Sequence, residues 1–143
     1  MKTSFSKRFV LDASVAVAWC FEDESTVLTE DVLDSLAAGS EAVVPAVWPQ
    51  EVANALLVAE RRKRLSVAQM SGQLRRIAAL PISVMPMTPA YAFEQVLAIA
   101  RQEKPSSYDA AYLQLALRES LPLVTLDADL RRAAKANGVT LLS

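Results

Sequence analysis

The stretch that decides the fold is Arg8-Phe9-Val10-Leu11-Asp12-Ala13-Ser14. It begins as a short apolar run, which is typical of a fully buried strand, and it stops at a carboxylate. From Val15 onward the pattern becomes helical. A buried strand that ends at Asp12 and opens a helix places this acid at the carboxyl end of the strand. In open α/β sheets, that edge is where ligands bind.

Short apolar segments alternate with helical patterns along the rest of the chain. We expect further strands at 41–44, 82–85, 121–125 and 139–142. We expect helices at 15–21, 26–38, 47–65, 66–80, 90–102, 108–119 and from Asp127 or Asp129 to 137. This alternation predicts an α/β fold with a short parallel sheet and helices on both faces. The consecutive helices at 47–65 and 66–80 form a hairpin that is free to protrude or to dimerise.

Two of these helices carry apolar residues at helical spacing, so each predicts a buried face. In the helix at 66–80, the residues expected to point inward are Val67, Met70, Leu74 and Ile77. In the helix at 90–102, those expected to be buried are Phe93, Val96, Leu97 and Ala100.

Length and composition predict one globular domain over 1–143, preceded by a polar extension at 1–7. The chain has 143 residues, of which 52% are hydrophobic and 22% charged, a balance typical of a packed core rather than disorder. The polar start does not resemble a signal peptide, and no stretch is apolar enough for a membrane span. We therefore expect a cytoplasmic protein that does not bind a membrane.

The residue inventory excludes several kinds of catalytic site. The sequence contains no histidine and a single cysteine, Cys20. Nucleophilic triads with histidine, histidine general bases and the common zinc sites are therefore ruled out. The formal net charge of -1 does not by itself indicate nucleic-acid binding. Catalysis must then come from carboxylates, amines, hydroxyls or a hard cation.

Four acids share one local setting, because each lies at a strand end or in the first turn of a helix. They are Asp12, Glu51, Asp109 and Asp127. Taken singly, each is explained as a helix cap or as a charge that complements a helix dipole. In a right-handed parallel fold, however, Asp12, Glu51 and Asp127 meet at the carboxyl edge of the sheet. Asp109 joins them only if the preceding helix returns the chain to that edge.

Clustered carboxylates repel one another unless some are protonated or a cation lies among them. An all-oxygen cluster favours Mg²⁺ or Mn²⁺, and such a cation keeps water ligands that can attack a phosphodiester. The hydroxyls of Ser14 and Thr125 lie near the same acids and either orient a carboxylate or simply occupy helix and strand ends. Asp129 is ambiguous, since either it or Asp127 can be the helix cap.

Four stretches together resemble the PIN-domain ribonucleases, and most closely the VapC-type toxins of bacterial toxin–antitoxin systems. They are Val10-Leu11-Asp12-Ala13-Ser14, Pro49-Gln50-Glu51-Val52-Ala53-Asn54-Ala55-Leu56, Ser107-Tyr108-Asp109-Ala110-Ala111-Tyr112-Leu113 and Leu123-Val124-Thr125-Leu126-Asp127. Their order matches from Phe9 to Leu142. The resemblance implies a three-layer α/β/α PIN-like domain.

The resemblance also implies an activity, a cofactor and partners. The activity is Mg²⁺-dependent endonucleolytic cleavage of RNA, with Mn²⁺ as a possible substitute. Catalysis is implied for Asp12, Glu51, Asp109 and Asp127, with Asp12 and Asp109 as the direct metal ligands. The implied partners are an RNA substrate such as tRNA or rRNA, a cognate antitoxin protein and a second copy of the chain in a homodimer.

An acidic site repels phosphate, so basic residues at its rim must hold the RNA. Basic side chains cluster at 61–64, 75–76 and 131–135, where they either bind RNA or form solvated helix faces. Four aromatic residues are candidates to stack on unpaired bases: Trp19, Trp48, Tyr108 and Tyr112. Of these, Trp48 and Tyr112 lie in apolar helix patterns and fit a core better.

Two other functions are compatible with the same pattern. One is a catalytically inactive PIN-fold module that binds protein or RNA and uses its acids only as helix caps. The other is a metal-dependent phosphatase or nuclease that acts on something other than RNA. The sequence lacks a phosphate-binding glycine loop and has no Asp-x-Asp after the first strand, which disfavours the second alternative.

Overall fold

The structure is a computed structural model that describes residues 6–103 and 107–143. Its sheet contains four parallel strands in the order β3-β2-β1-β4. They are β1 (Arg8–Leu11), β2 (Glu41–Pro45), β3 (Ile82–Met85) and β4 (Leu123–Val124). In the registers, Phe9 lies opposite Ala42, and Leu11 lies opposite Val124. The predicted strands at 41–44 and 82–85 are confirmed within one residue, whereas that at 121–125 is shorter than predicted.

Helices cover both faces of the sheet, which confirms the predicted three-layer α/β/α architecture. In the described part of the chain they are α1 (Ala13–Ala18), α2 (Val27–Ala37), α3 (Trp48–Arg61), α4 (Val67–Ala78), α5 (Leu97–Glu103), α6 (Ser107–Glu119) and α7 (Ala128–Ala136). A single 3₁₀ turn at Glu22–Glu24 precedes α2, and a π-helical stretch at Tyr91–Val96 leads into α5.

The first strand is the centre of the core, as its apolar sequence predicts. Phe9, Val10 and Leu11 are all 0% exposed. The strand lies between β2 and β4 and between the helix layers, so these three side chains leave water on folding, whereas Arg8 at its start stays exposed. Burial of a large aliphatic or aromatic side chain contributes about 1.5–3 kcal/mol, which fixes this strand as the central element. Asp12 directly follows this strand, so the position of its backbone is fixed as well.

Two predicted buried faces are only partly correct. Ile77 is buried on α4, but Val67 is 70% exposed and Leu74 is 38% exposed. Before α5, Val96 is buried, whereas Phe93 is 73% exposed. The helical spacing therefore identified the right face of each helix but overestimated its width, because the packed layer covers only part of each apolar stripe.

Two predicted boundaries also differ from the structure. Helix α3 ends at Arg61 rather than at 65, because Lys63 adopts a left-handed backbone conformation with φ of 61°. The strand predicted at 139–142 is reduced to one parallel bridge between Leu123 and Leu141. The residues at 1–5 of the predicted polar extension and at 104–106 of the predicted loop lie outside the described residues.

The chain direction brings several helix starts to one edge of the sheet. All paired strands run parallel, so their carboxyl ends share that edge. Helices α1, α3 and α7 follow β1, β2 and β4 after short connections and therefore begin there. Within residues 6–103 and 107–143, no helix is both long and apolar enough to cross a membrane.

Candidate active site

The carboxylate of Asp12 is buried and held on one oxygen by two hydroxyl groups. Its side chain is 6% exposed. Oδ2 accepts hydrogen bonds from Ser14 Oγ at 2.6 Å and from Thr125 Oγ1 at 2.7 Å. Asp12 occupies the N-cap position of α1 but makes no side-chain capping bond. Helix capping therefore does not explain this acid, and the hydroxyls orient it instead.

The same two hydroxyls also bind the backbone of the connection between β4 and α7. Leu126 N–H donates to Ser14 Oγ at 3.0 Å, and Asp127 N–H donates to Thr125 Oγ1 at 3.0 Å. Because each hydroxyl has one proton and uses it toward Asp12, these contacts fix the direction of both donors. Among the described residues, no donor reaches the second oxygen of Asp12, Oδ1, which remains available to a cation.

Glu51 lies in the first turn of α3 and is oriented by a buried tyrosine. Tyr112 Oη donates to Glu51 Oε1 at 2.7 Å and accepts a hydrogen bond from Ala13 N–H at 3.4 Å. Burial raises the pKa of Glu51, the hydrogen bond from Tyr112 opposes that rise, and the charge of Asp12 adds to it. Glu51 is therefore a carboxyl group with an increased affinity for a proton.

Asp109, in the first turn of α6, has the largest rise in pKa among the acids of the site. Its pKa rises to about 6, first because the carboxyl is partly buried. Repulsion by neighbouring carboxylates raises the pKa further. The largest contribution comes from Asp127, followed by Asp12, Glu51 and Asp129. Coupling of this kind requires the acids to lie near one another. The structure thus brings Asp109 to the edge shared by the other three acids, which the sequence alone left open.

The structure also separates the roles of Asp127 and Asp129. Asp127 is the N-cap of α7, and its Oδ1 accepts from Leu130 N–H at 2.9 Å. Asp129 is exposed and pairs with Arg132 at 3.0 Å. Asp127 is thus both the helix cap and the stronger electrostatic neighbour of Asp109. Capping explains Asp127 in part, but not its contribution to the cluster.

The electrostatics of the site favour a bound cation. In the part of the chain that the structure describes, no lysine or arginine lies within salt-bridge distance of Asp12, Glu51 or Asp127. A buried charge is normally paired with an opposite charge or coordinates a metal. The available donors are carboxylate and hydroxyl oxygens, which are the ligand chemistry of Mg²⁺ and Mn²⁺.

The arrangement of the acids limits what kind of metal site they can form. Among residues 6–103 and 107–143, no three histidine, cysteine or acidic side chains form a group that could hold a metal ion. This excludes a preformed metal site in which three or more of these side chains coordinate the ion. Mg²⁺ seldom uses such a site, since it keeps several waters and binds through one or two carboxylates. The donor set fits that sparse mode of binding.

The aromatic residues divide into a core group and an exposed one. Trp19, Trp48 and Tyr112 are buried, and Trp19 Nε1 donates to Thr29 O at 2.8 Å. Of the four stacking candidates named from the sequence, Tyr108 alone is accessible, at 60% exposed. Sequence reasoning missed that Tyr112 orients Glu51. The available signal was spacing, because Tyr112 follows Asp109 by three residues and therefore shares its helix face.

Comparisons with known proteins place the chain among proteins of this architecture. A sequence model described as the PIN domain matches residues 9–136. A comparison with curated proteins found no match. Among solved structures, PAE2754 from Pyrobaculum aerophilum is similar, with 23% identity and a TM-score of 0.69. That match covers 88% of this chain and 78% of PAE2754.

Two further solved structures are similar over nearly the whole chain. VapBC2 from Rickettsia felis, solved with a DNA fragment from its promoter, has 12% identity and a TM-score of 0.65, over 94% of this chain and 97% of that one. FitAcB from Neisseria gonorrhoeae has 17% identity and a TM-score of 0.54, over 94% and 96%. At these identities the likeness is one of fold.

The raised pKa of Asp109 predicts how stability depends on pH. Its carboxyl binds a proton more tightly in the folded chain than in the unfolded one, so ionising it costs folding free energy as the pH rises through about 6. In EDTA, we expect Asp109→Asn to raise the melting temperature relative to wild type by about 3 °C more at pH 8 than at pH 4.5. Thermal unfolding followed by circular dichroism measures both values.

The control for this measurement is Asp129→Asn, which removes an exposed carboxylate from the first turn of α7. We expect its difference from wild type to vary less with pH than that of Asp109→Asn. A difference for Asp109→Asn that is the same at both pH values would show that Asp109 is not strained by its neighbours.

Proposed function

Because this chain belongs to the PIN domain family, whose members are generally nucleases, we propose that it is a metal-dependent endoribonuclease that acts as a cytoplasmic VapC-type toxin. The observation that supports this proposal most is the placement of Asp109, Asp127, Asp12 and Glu51 at one sheet edge, near enough for the other three charges to raise the pKa of Asp109. Helix capping alone does not require four acids to meet there.

We propose that Asp12 and Asp109 bind the metal directly and that Glu51 and Asp127 act partly through water. Asp12 presents Oδ1, because Ser14 and Thr125 both engage Oδ2. A bound Mg²⁺, or Mn²⁺ in its place, supplies a nucleophilic water and neutralises charge on the phosphate. The raised pKa of Asp109 is consistent with this role, since a nearby cation removes the repulsion that disfavours its ionised form.

The sequence contains no histidine, and we assign the remaining proton transfer to a carboxylate of the site. Tyr112 fixes Oε1 of Glu51, and the raised pKa of Glu51 brings it nearer to the range of an effective general base. We therefore propose that Oε2 of Glu51 accepts a proton from the attacking water. The new bond joins the water oxygen to phosphorus, the P–O3′ bond breaks, and the leaving 3′-oxygen takes a proton from solvent, which gives a 5′-phosphate and a 3′-hydroxyl. The proposed substrate is a structured RNA such as tRNA or rRNA.

The direct test is incubation of total RNA with the purified chain in Mg²⁺, in Mn²⁺ and in EDTA. We expect discrete fragments with 5′-phosphate ends only when metal is present. Asp12→Asn and Asp109→Asn should reduce the rate at least about a hundredfold, because each removes a ligand charge at the site. Asp31→Asn, a surface change on α2, is the matched control and should cleave at the wild-type rate.

The outcomes separate the proposed activity from its alternatives. Equal cleavage by wild type, Asp12→Asn and Asp109→Asn would contradict the roles of these acids. No cleavage of RNA by the folded wild type, with cleavage of DNA, would favour a nuclease with another substrate. No cleavage of either would favour the inactive binding module.

We further propose a cognate antitoxin that covers the site. The likeness to VapBC2 and FitAcB supports a partner of this kind. A cavity of about 460 Å³ is lined in part by Gln50 and Tyr108, which precede Glu51 and Asp109 in the sequence. Its mainly apolar lining also includes Val47, Met87 and Phe93. An apolar side chain that fills this cavity can place a neighbouring basic side chain among the acids.

The antitoxin proposal predicts that neutralisation can be lost without loss of activity. Phe93→Asp puts a charge on the exposed lip of the cavity but leaves the acids unchanged. In a bacterial host, we expect Phe93→Asp to arrest growth as wild type does and to resist neutralisation when the proposed cognate antitoxin is co-expressed. Val27→Asp, an equally exposed apolar site on α2, should remain neutralised. Neutralisation of both variants would contradict the proposed docking site.

We also propose a homodimer that uses the hairpin of α3 and α4. The exposed apolar side chains of Val67 and Leu74 on α4 support a covered surface there. Light scattering of the purified chain should give twice the mass of one chain, and Leu74→Glu should shift it toward a single chain. A wild type that is monomeric at all concentrations would contradict this proposal.

A further inference from the structure

One basic side chain of α7 contacts a residue that orients Asp12. Arg131 lies in the second turn of this helix, and its guanidinium extends back toward the helix start, the direction that helical side chains favour. Nη1 donates to the carbonyl oxygen of Thr125 at 3.3 Å. The hydroxyl of the same Thr125 donates to Asp12 at 2.7 Å. The guanidinium is thereby anchored one residue away from the most buried acid of the site.

The other basic candidates are engaged elsewhere or lie farther along the chain from the acids. Arg64 contacts Asp23 and Glu24 and lies 4.3 Å from the ring centre of Phe21. Arg132 pairs with Asp129 and is 75% exposed. Across residues 6–103 and 107–143, no carboxylate lies within salt-bridge distance of Arg131. Its charge is therefore not neutralised by a direct ion pair with a carboxylate of these residues.

This geometry suits a phosphate ligand. A guanidinium carries five N–H donors in a planar fork, and the contact with Thr125 occupies a donor on one nitrogen only. The free edge of such a fork binds phosphate through two parallel hydrogen bonds. An anion beside the acids needs a compensating positive charge, since the carboxylates would otherwise repel it.

We propose that Arg131 binds a phosphate of the RNA strand beside the acid cluster and so sets the position of the strand relative to Asp12. This inference rests on the proposed function for the identity of the strand. Arg131 is then a substrate-binding residue, and its bond to Thr125 O couples the position of that phosphate to the carboxylate that Thr125 orients.

The alternative role is purely structural, in which Arg131 only ties α7 to the end of β4. Three substitutions separate the two roles. Arg131→Ala removes both the hydrogen bond and the charge, and Arg131→Gln keeps an N–H donor for Thr125 O but no charge. Arg131→Lys keeps a charge without the fork. Arg132→Ala, the adjacent residue, removes one charge that already has a carboxylate partner.

The experiment measures binding and cleavage separately. Binding of a fluorescein-labelled single-stranded RNA of mixed sequence is followed by anisotropy in Mg²⁺, with every variant in an Asp12→Asn background so that the RNA is not cut. We expect Arg131→Ala and Arg131→Gln each to raise Kd about tenfold and Arg131→Lys to raise it less. The slope of log Kd against log salt should fall by about 0.7 for Ala and Gln, as loss of one phosphate contact predicts. Arg132→Ala should stay within about twofold of its parent.

Cleavage is measured with the same Arg131 and Arg132 variants in the background with Asp12 intact. We expect the KM values of the variants to follow the same order as their Kd values and the kcat values to change less. Wild-type binding by Arg131→Gln would overturn the proposal in favour of the structural role. Equal effects of Arg131→Ala and Arg132→Ala would overturn it in favour of a diffuse electrostatic effect. If the wild type cuts no RNA but the binding order holds, the proposed function fails and Arg131 remains a phosphate-binding residue.

Discussion

The site depends on one arrangement, in which two hydroxyl groups fix a single oxygen of the buried Asp12. Ser14 and Thr125 donate to Oδ2, and each accepts an N–H from the chain between β4 and α7. Each hydroxyl therefore links the carboxylate of Asp12 to the backbone just before α7, so the positions of the acid and of the helix start depend on each other. A buried acid without a basic partner costs folding free energy, and these contacts offset only part of that cost.

The same arrangement links stability to function. Burial and neighbouring negative charges raise the pKa of Asp109, so the site is strained when all its acids are ionised. A divalent cation would offset this repulsion, because each carboxylate is then attracted to the same positive charge. The described residues contain no group of three metal ligands, and this agrees with a Mg²⁺ site, since Mg²⁺ relies on few carboxylates and on water. The fold tolerates the strain because Phe9, Val10 and Leu11 of β1 are fully buried and fix the position of Asp12.

Much of this fold follows from sequence patterns, and the limits have physical causes. The apolar run at 9–11, the alternation of strands and helices and three of the four acids at the sheet edge were predicted correctly. The side-chain spacing on α4 did not show that Val67 and Leu74 stay exposed, because burial depends on which layer covers a helix. The contact of Tyr112 with Glu51 joins residues that are distant in sequence, so neither residue alone indicated it. The position of Asp109 depended on the course of the chain between β3 and α6.

We propose that these acids form a cation site, and binding of Mn²⁺ to the RNA-free chain, followed by electron paramagnetic resonance, tests this most directly. We expect saturable binding by the wild type, strong loss of binding in Asp12→Asn, and retention in Asp129→Asn, whose exposed wild-type carboxylate pairs with Arg132. A folded wild type that leaves Mn²⁺ free in solution, or an Asp12→Asn variant that binds it equally well, would show that these acids do not form a cation site.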